Sequence, residues 1–352
     1  MKKIFSILMV AAFLFAIIGC SKKEAAKSEE DRVTFEFELN TDAGGKEAKE
    51  AKLYVPYPRT ERQQDISDVV ISGNYDKYEI KEDAESGAAY VYAQWADIGK
   101  IADAPKMTFA FNVDSHFTKG APLKTGKEQI PDDIKKYLQA SRYIPCDDAA
   151  LVANAEEAVG NSKTMLEKAR AVYEWTVANT YRNASIVGCG LGQPLVTLNE
   201  DGGGGKCADI SSVFVAVLRA AGIPAREVYG LRIAGKDGEI TGDFHCWSEF
   251  YLPDTGWVQA DPADVRKAML VENLQLDDPK TGEWKEFFWN GDNLYRIIVS
   301  RADKGLRFDP PQSGEALDYF MYPFAQVDGT TLNYFDNKNF VYTVTYQKGK
   351  KE

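Results

Sequence analysis

The period of apolar and polar positions changes along the chain, and each change predicts a new kind of element. Across residues 33–113 the runs RVTFEFEL, AKLYVPYP, DVVISG, YEIKED, AAYVYAQW and MTFAFNV alternate between Gly, Asp and Asn turns. Side chains of a strand point to opposite faces in turn, so short alternating runs at this spacing predict an antiparallel sandwich. The period then lengthens. Pro131, Asp132 and Asp133 open a short helix in a connector, residues 147–160 are helical, and a second helix from Asn161 and Ser162 carries Leu166, Ala169, Tyr173 and Val177 on one face. After the loop-rich YRNASIVGCGLGQPLVTLNEDGGGG, a third helix starts at Cys207. Ile210, Phe214, Val217, Leu218 and Ala221 recur there at three and four, the stripe of a helix buried along one side, until Gly222, Ile223 and Pro224 end it. Residues 225–233 and 244–252 read as strands, a Pro253-Asp254-Thr255-Gly256 turn brings residues 257–262 back as a hairpin partner, and residues 284–346 are strand-rich again.

This layout places one cysteine, one histidine and one aspartate where thiol chemistry can use them. Cys207 lies in a first helical turn, where unsatisfied N–H groups and the positive end of the dipole favour a thiolate; Lys206 helps and Asp209 opposes. Gly202 to Gly205 lack a Cβ, so a substrate backbone could approach closely and their N–H groups could line an anion site; a flexible loop is the plainer reading. A thiol near its ordinary pKa of about 8.5 needs a base or a positive neighbour to act as a nucleophile. His245 can take and return that proton, and Asp261 can hold the imidazole in the required tautomer. The other histidine, His116, sits in a polar segment with no cysteine nearby in sequence. Alternation on the second strand puts His245, Trp247, Glu249 and Tyr251 on one face and Phe244, Cys246, Ser248 and Phe250 on the other. Symmetric pairing about the turn sets Asp261 nearer Ser248 than His245, so direct contact calls for a bulge, a twist or a shifted register.

GGKCADISSVFVAVLRAAGIPAREVYG followed by HCWSEFYLPDTGWVQADPADV resembles the catalytic core of the transglutaminase-like superfamily, the papain-like group that includes bacterial cysteine peptidases and amidases as well as transglutaminases. The resemblance implies an α+β fold: a helix bundle packed on an antiparallel sheet, with an N-terminal β-sandwich and a β-rich C-terminal extension whose added strands complete the core sheet. It implies Cys207 as nucleophile, His245 as base and Asp261 as orienting acid. Beside the Cys207 N–H, the family's second oxyanion donor is an upstream side chain, for which Tyr181, Gln193 and Trp175 are candidates. Many relatives have alanine where this chain has Cys246; pointing away from His245, it is expected to leave the pair undisturbed. KLYVPYP is similar to a β-domain that precedes some bacterial cores of this type.

The N-terminus adds a location. Lys2 and Lys3, the apolar run 4–18 and Ile17-Ile18-Gly19-Cys20 match a bacterial lipoprotein signal, with an uncleaved anchor as the alternative. The resulting division is a signal at 1–19, a flexible tether at 20–31 beginning with lipidated Cys20, a sandwich at 32–115, a catalytic core at 116–283 and an extension at 284–352. A formal net charge of −11, more acidic still without the leader's lysines, leaves no electrostatic footprint for nucleic acid. With Cys207 free and Cys20 lipidated, Cys146, Cys189 and Cys246 allow at most one disulfide. Cys189 with Cys246 is favoured, and free buried thiols are the alternative.

A zinc site ranks below catalysis, because no CxxC or comparable cluster is present and His245 and Cys246 project to opposite faces. No cofactor is implied. The expectation is an exported, membrane-anchored enzyme that attacks a peptide or side-chain amide of a protein or peptide substrate through a thioester on Cys207. Hydrolysis is favoured, since an accessible cleft outside the cell meets far more water than amine; acyl transfer to an amine and a catalytically inactive scaffold are the alternatives.

Overall fold

The computed structural model describes residues 30–350, apart from residues 45–47, 85, 117, 121, 125, 127, 293–294 and 302–303. The signal, the lipidation site Cys20 and nearly all of the tether lie outside the described residues. Six strands open the chain: β1 (Asp31–Leu39), β2 (Ala51–Pro56), β3 (Gln64–Gly73), β4 (Lys77–Glu82), β5 (Ala89–Trp95) and β6 (Lys106–Ser115). Helices α1 (Ala149–Val159), α2 (Met165–Asn179) and α3 (Cys207–Ala220) follow, then β7 (Ala225–Arg232), β8 (Phe244–Leu252) and β9 (Gly256–Ala260). Next come α4 (Pro262–Glu272), α5 (Pro279–Phe288), β10 (Arg296–Ser300), β11 (Phe324–Val327) and β12 (Phe340–Gln347).

The alternation of the first six strands resolves into two facing sheets. Val33, Phe35, Phe37 and Leu39 of β1 and Phe109 and Phe111 of β6 are buried against Leu53, Val55, Val91, Ala93 and Trp95 of the opposite sheet. Phe35 and Phe109 are directly paired across β1 and β6, with ring centroids 5.9 Å apart, the cross-strand packing that aromatic pairs favour.

The C-terminal region is divided differently from the expectation. Among the described residues of this region, only β10 joins the core sheet, whose order is β9-β8-β7-β10. Strand β12 pairs instead along β1, from Arg32 opposite Gln347 to Leu39 opposite Phe340, and β11 pairs along β2. Each first strand would otherwise present an open edge of unpaired N–H and C=O groups. The chain's last strands cover those edges, tying the sandwich and the core into one body.

Helix α3 is also more deeply placed than a one-sided stripe predicts. Every residue from Cys207 to Leu218 is buried, because the helix packs against α1, α2 and α4 on one side and β7 and β8 on the other. Its polar residues face the sheet with partners: Ser211 Oγ donates to the Cys246 carbonyl at 3.4 Å, and Ser212 Oγ donates to Glu227 at 2.5 Å. Gly222, at φ +81°, supplies the left-handed residue that closes the helix.

Gly230 shows how tightly the sheet is built. It lies opposite His245 in the β7–β8 ladder, and a Cβ there would sit 2.1 Å from the Ile297 carbonyl oxygen and 2.8 Å from the Trp247 ring. Gly230→Ala is therefore expected to cost about 1–3 kcal/mol, the range for overpacking. A denaturant midpoint checks this, and an unchanged midpoint would show that the sheet yields freely.

Candidate active site

Cys207 is the first residue of α3, buried at the positive end of the helix. Asp209 organises that end. Its carboxylate accepts the Lys206 N–H at 2.8 Å and the Gly192 N–H at 2.9 Å, drawing the glycine loop down onto the helix. Burial pushes the Asp209 acid up from its ordinary value, which weakens its opposition to a neighbouring thiolate.

His245 and Asp261 meet without a bulge. The β8–β9 register is regular, from Leu252 opposite Gly256 to Ser248 opposite Ala260. The chain then leaves the ladder: the Asp261 N–H donates to the Phe288 carbonyl at 3.1 Å, and the residue becomes the N-cap of α4, accepting from the Asp264 N–H at 2.8 Å. That turn swings the carboxylate to His245, whose Nε2 lies 2.7 Å from Asp261 Oδ2. Trp247 stacks on the imidazole with centroids 5.8 Å apart.

Three charged residues not anticipated from the sequence complete the setting. Arg296 donates to Asp261, and to Asp264 at 2.8 Å, while its guanidinium lies over Trp247. Arg232 pairs with Asp264 and places Nη2 2.7 Å from His245 Nδ1. Burial raises the Asp264 acid, but His245, Arg232 and Arg296 hold it well below the ordinary carboxylate value. An arginine N–H can only donate, so Nδ1 accepts and the ring proton lies on Nε2, toward Asp261. With the ring neutral, Arg232 thus competes for the Nδ1 lone pair that a thiol proton would take.

The sulfurs form a second cluster. Cys189, Cys207 and Cys246 are free and buried, with their Sγ atoms all within 4.8 Å of one another. This corrects two expectations: no Cys189–Cys246 disulfide is present, and Cys246, although facing away from His245, reaches Cys207. Helix α3 crosses the Cys246 face of β8, so its first residue lands beside that side chain. Burial alone disfavours a Cys207 thiolate, but hydrogen bonds with Cys189, Cys246 and His245 and the charge of His245 hold its pKa well below the usual thiol value. The hydrogen bond with Cys207 raises Cys189, and burial raises Cys246, so both neighbours remain thiols that can donate to Cys207. The thiol cluster missing from the sequence spacing is therefore present in space, and three such sulfurs could also hold a thiophilic ion.

The remaining candidates are directed elsewhere. The Tyr181 hydroxyl lies 3.5 Å from the Asp201 carbonyl, Gln193 Nε2 donates to Asp318 at 3.2 Å, and Trp175 packs against the helical core. His116 is engaged with Asp65 at 3.1 Å, in the sandwich. Trp289 stacks on Phe250, packs against Tyr173 and lines a separate cavity of about 520 Å³ rather than the one beside Cys207. Among the described residues, no acceptor takes the Cys207 N–H, which leaves it available as an oxyanion donor.

A cavity of about 410 Å³ opens beside this centre, lined by Cys189, Arg232 and Phe244 on the inner side. A larger one, about 960 Å³, lies between Tyr90 and Arg219 and includes neither Cys207 nor His245.

The core domain of the transglutaminase-like superfamily matches residues 152–262, which hold Cys207, His245 and Asp261. An uncharacterized protein of Haemophilus influenzae is 30% identical over 323 residues, covering 85% of this chain and 86% of its own length. The chain belongs to the transglutaminase-like superfamily. A shorter segment of 68 residues, 16% of this chain, is 38% identical to 10% of a protein-glutamine gamma-glutamyltransferase of Pseudomonas aeruginosa. In overall fold the chain is similar to a Cytophaga hutchinsonii protein proposed to be a cysteine protease: TM-score 0.52, 15% identity, 92% of this chain and 99% of that one. Membership of the superfamily accounts for the helix-on-sheet core, and supports an enzyme. Arg232, Asp264 and Arg296 lay outside the motif-based reading; the one local signal was Asp264, three residues after Asp261 in the first turn of a helix.

Proposed function

We propose that this transglutaminase-like protein is a cysteine hydrolase that cleaves an amide of a peptide or protein. The observation that carries the reading is the imidazole of His245, held through Nε2 at 2.7 Å from Asp261 on the strand that α3 crosses, with Cys207 as the first residue of that helix. In this reading Sγ of Cys207 adds to the amide carbon, and the oxyanion is met by the Cys207 N–H. His245 passes the proton to the leaving amine, which departs as the thioester forms; water, deprotonated by His245, then releases the acid and restores the thiol. Water is favoured over an amine as acceptor because the cavity beside Cys207 carries Arg182, Lys206, Arg232 and Lys267, which repel an incoming ammonium group. Acyl transfer is the second reading, supported by the segment similar to the glutamyltransferase.

The same proposal places the enzyme outside the cytoplasm, anchored through lipidated Cys20. Its support is the leader sequence; among the described residues no helix is long and apolar enough to cross a membrane. Incubation with a peptide library followed by intact-mass measurement is expected to show an acyl adduct on Cys207 that decays in water, and none in Cys207→Ala. Incorporation of an amine donor in place of decay would convert the assignment to acyltransferase. Stoichiometric zinc released on denaturation, with no adduct, would overturn it. Cys20→Ser is expected to move the protein from the membrane to the soluble fraction, and retention at the membrane would sink the anchoring through lipidated Cys20.

A further inference from the structure

We propose that the cavity beside Cys207 is a subsite for an acidic stretch of a peptide substrate. The assignment rests on Cys207 being the nucleophile of an amide-cleaving site, and it adds what that site selects.

The chain as a whole is acidic, at −11, yet Arg182, Lys206, Arg232 and Lys267 converge on this one cavity. Asp243 is the acid in its lining, and it is paired with Lys236 at 2.9 Å. Arg232 has Asp264 as partner, but among the described residues Arg182, Lys206 and Lys267 have no carboxylate within ion-pair distance. Burial, and then the charges of Arg232 and Arg182, lower the pKa of Lys267, so its ammonium is disfavoured where it stands. Among the described residues, none accepts from the buried Nη1 of Arg182, which leaves that donor open to a ligand. An anion in the cavity relieves both the repulsion and the unmet donor, and a carboxylate fits the guanidinium fork of Arg182 in particular.

The other wall decides between a small anion and a peptide. Tyr322 and Tyr334 stack with centroids 4.6 Å apart, and Phe335 packs on both from a position that is 43% exposed. An aromatic wall facing a cationic one suits an extended peptide whose acidic side chains turn one way and whose apolar side chains turn the other. The inner end of the cavity touches Cys189, one of the sulfurs beside Cys207, so a peptide seated there runs toward the nucleophile.

The test uses the full-length Cys207→Ala protein, which cannot react, and a short labelled peptide carrying glutamates and phenylalanine. Its counterpart has glutamine in place of each glutamate. Fluorescence anisotropy is expected to show the acidic peptide binding at least about tenfold more tightly, with the advantage shrinking as salt screens the charges. In the Arg182→Gln, Lys267→Gln double variant the ratio of the two affinities is expected to fall to near one. Lys267→Glu alone is expected to reverse the preference, and a circular dichroism spectrum matching the parent secures that comparison. Equal affinity for both peptides in the parent, or a ratio unmoved by these substitutions, overturns the proposal. Competition by inorganic phosphate as strong as that of the peptide would overturn it too, by showing a site for a small anion. Because binding is read without chemistry, a protein that forms thioesters on neutral peptides and ignores charge loses only the subsite. One that binds acidic peptides but never acylates loses only the hydrolase reading.

Discussion

Replacing His245 by alanine is expected to lower turnover by about 10²–10⁴-fold, the usual contribution of a positioned acid–base group, and to remove the reactivity of Cys207 at mildly acidic pH. The two effects share one cause. Burial works against a charged sulfur, and hydrogen bonds with Cys189, Cys246 and His245, followed by the electrostatic effect of His245, reverse that balance. In the parent protein the thiolate therefore persists below the ordinary thiol pKa of about 8.5. Iodoacetamide at pH 6 should modify Cys207 selectively; in His245→Ala the alkylation profile should move to higher pH. Removing a donor thiol while keeping the base provides a control with a different signature. Cys189→Ala and Cys246→Ala should each shift the profile upward too, but neither should abolish turnover, because the proton acceptor remains. Labelling of His245→Ala at pH 6 at the parental rate would show that the imidazole does not activate the sulfur.

Arg296→Ala is expected to cost about 3–5 kcal/mol of stability, the penalty for breaking a buried ion pair by removing one partner. Arg296 is fully buried and bonds both Asp261 and Asp264, so its loss leaves two buried carboxylates with only His245 and Arg232 to offset them. The pH dependence follows from Asp264. Its burial is outweighed by His245, Arg232 and Arg296, so its folded pKa lies well below the unfolded value of about 3.9. A depressed carboxylate contributes stability above the unfolded pKa and loses it as pH falls through the folded one. The parent should therefore hold this contribution at neutral pH and yield it only in strong acid. Without Arg296 the Asp264 pKa rises, and the loss should begin at higher pH. Urea midpoints between neutral pH and pH 3 measure both effects, and Arg296→Lys, which keeps the charge without the fork, should recover part of the stability. An alanine variant within about 1 kcal/mol of the parent would mean the two acids find other partners.

Much of the site was legible because its signals are local. A helix beginning at Cys207 follows from the spacing of Ile210, Phe214 and Val217, and the hairpin that returns Asp261 follows from Pro253 to Gly256. The sulfur cluster was not legible for the same reason. Cys189, Cys207 and Cys246 come from a loop, a helix and a strand, and no spacing rule relates them. The placement of β11 and β12 was missed likewise: a strand's periodicity tells which residues face inward but not which edge it covers.

By itself, then, the amino-acid order determined the elements, the family, and the identity of the thiol, imidazole and carboxylate, because each depends on residues close together in the chain. Tertiary structure decided how those groups are electrostatically set. The exit of Asp261 from its ladder into α4 brings it to His245, and Arg232 and Arg296 arrive from separate strands to neutralise two buried acids. Long-range charge pairing depends on where distant strands meet once the core closes, and only the folded chain specifies that.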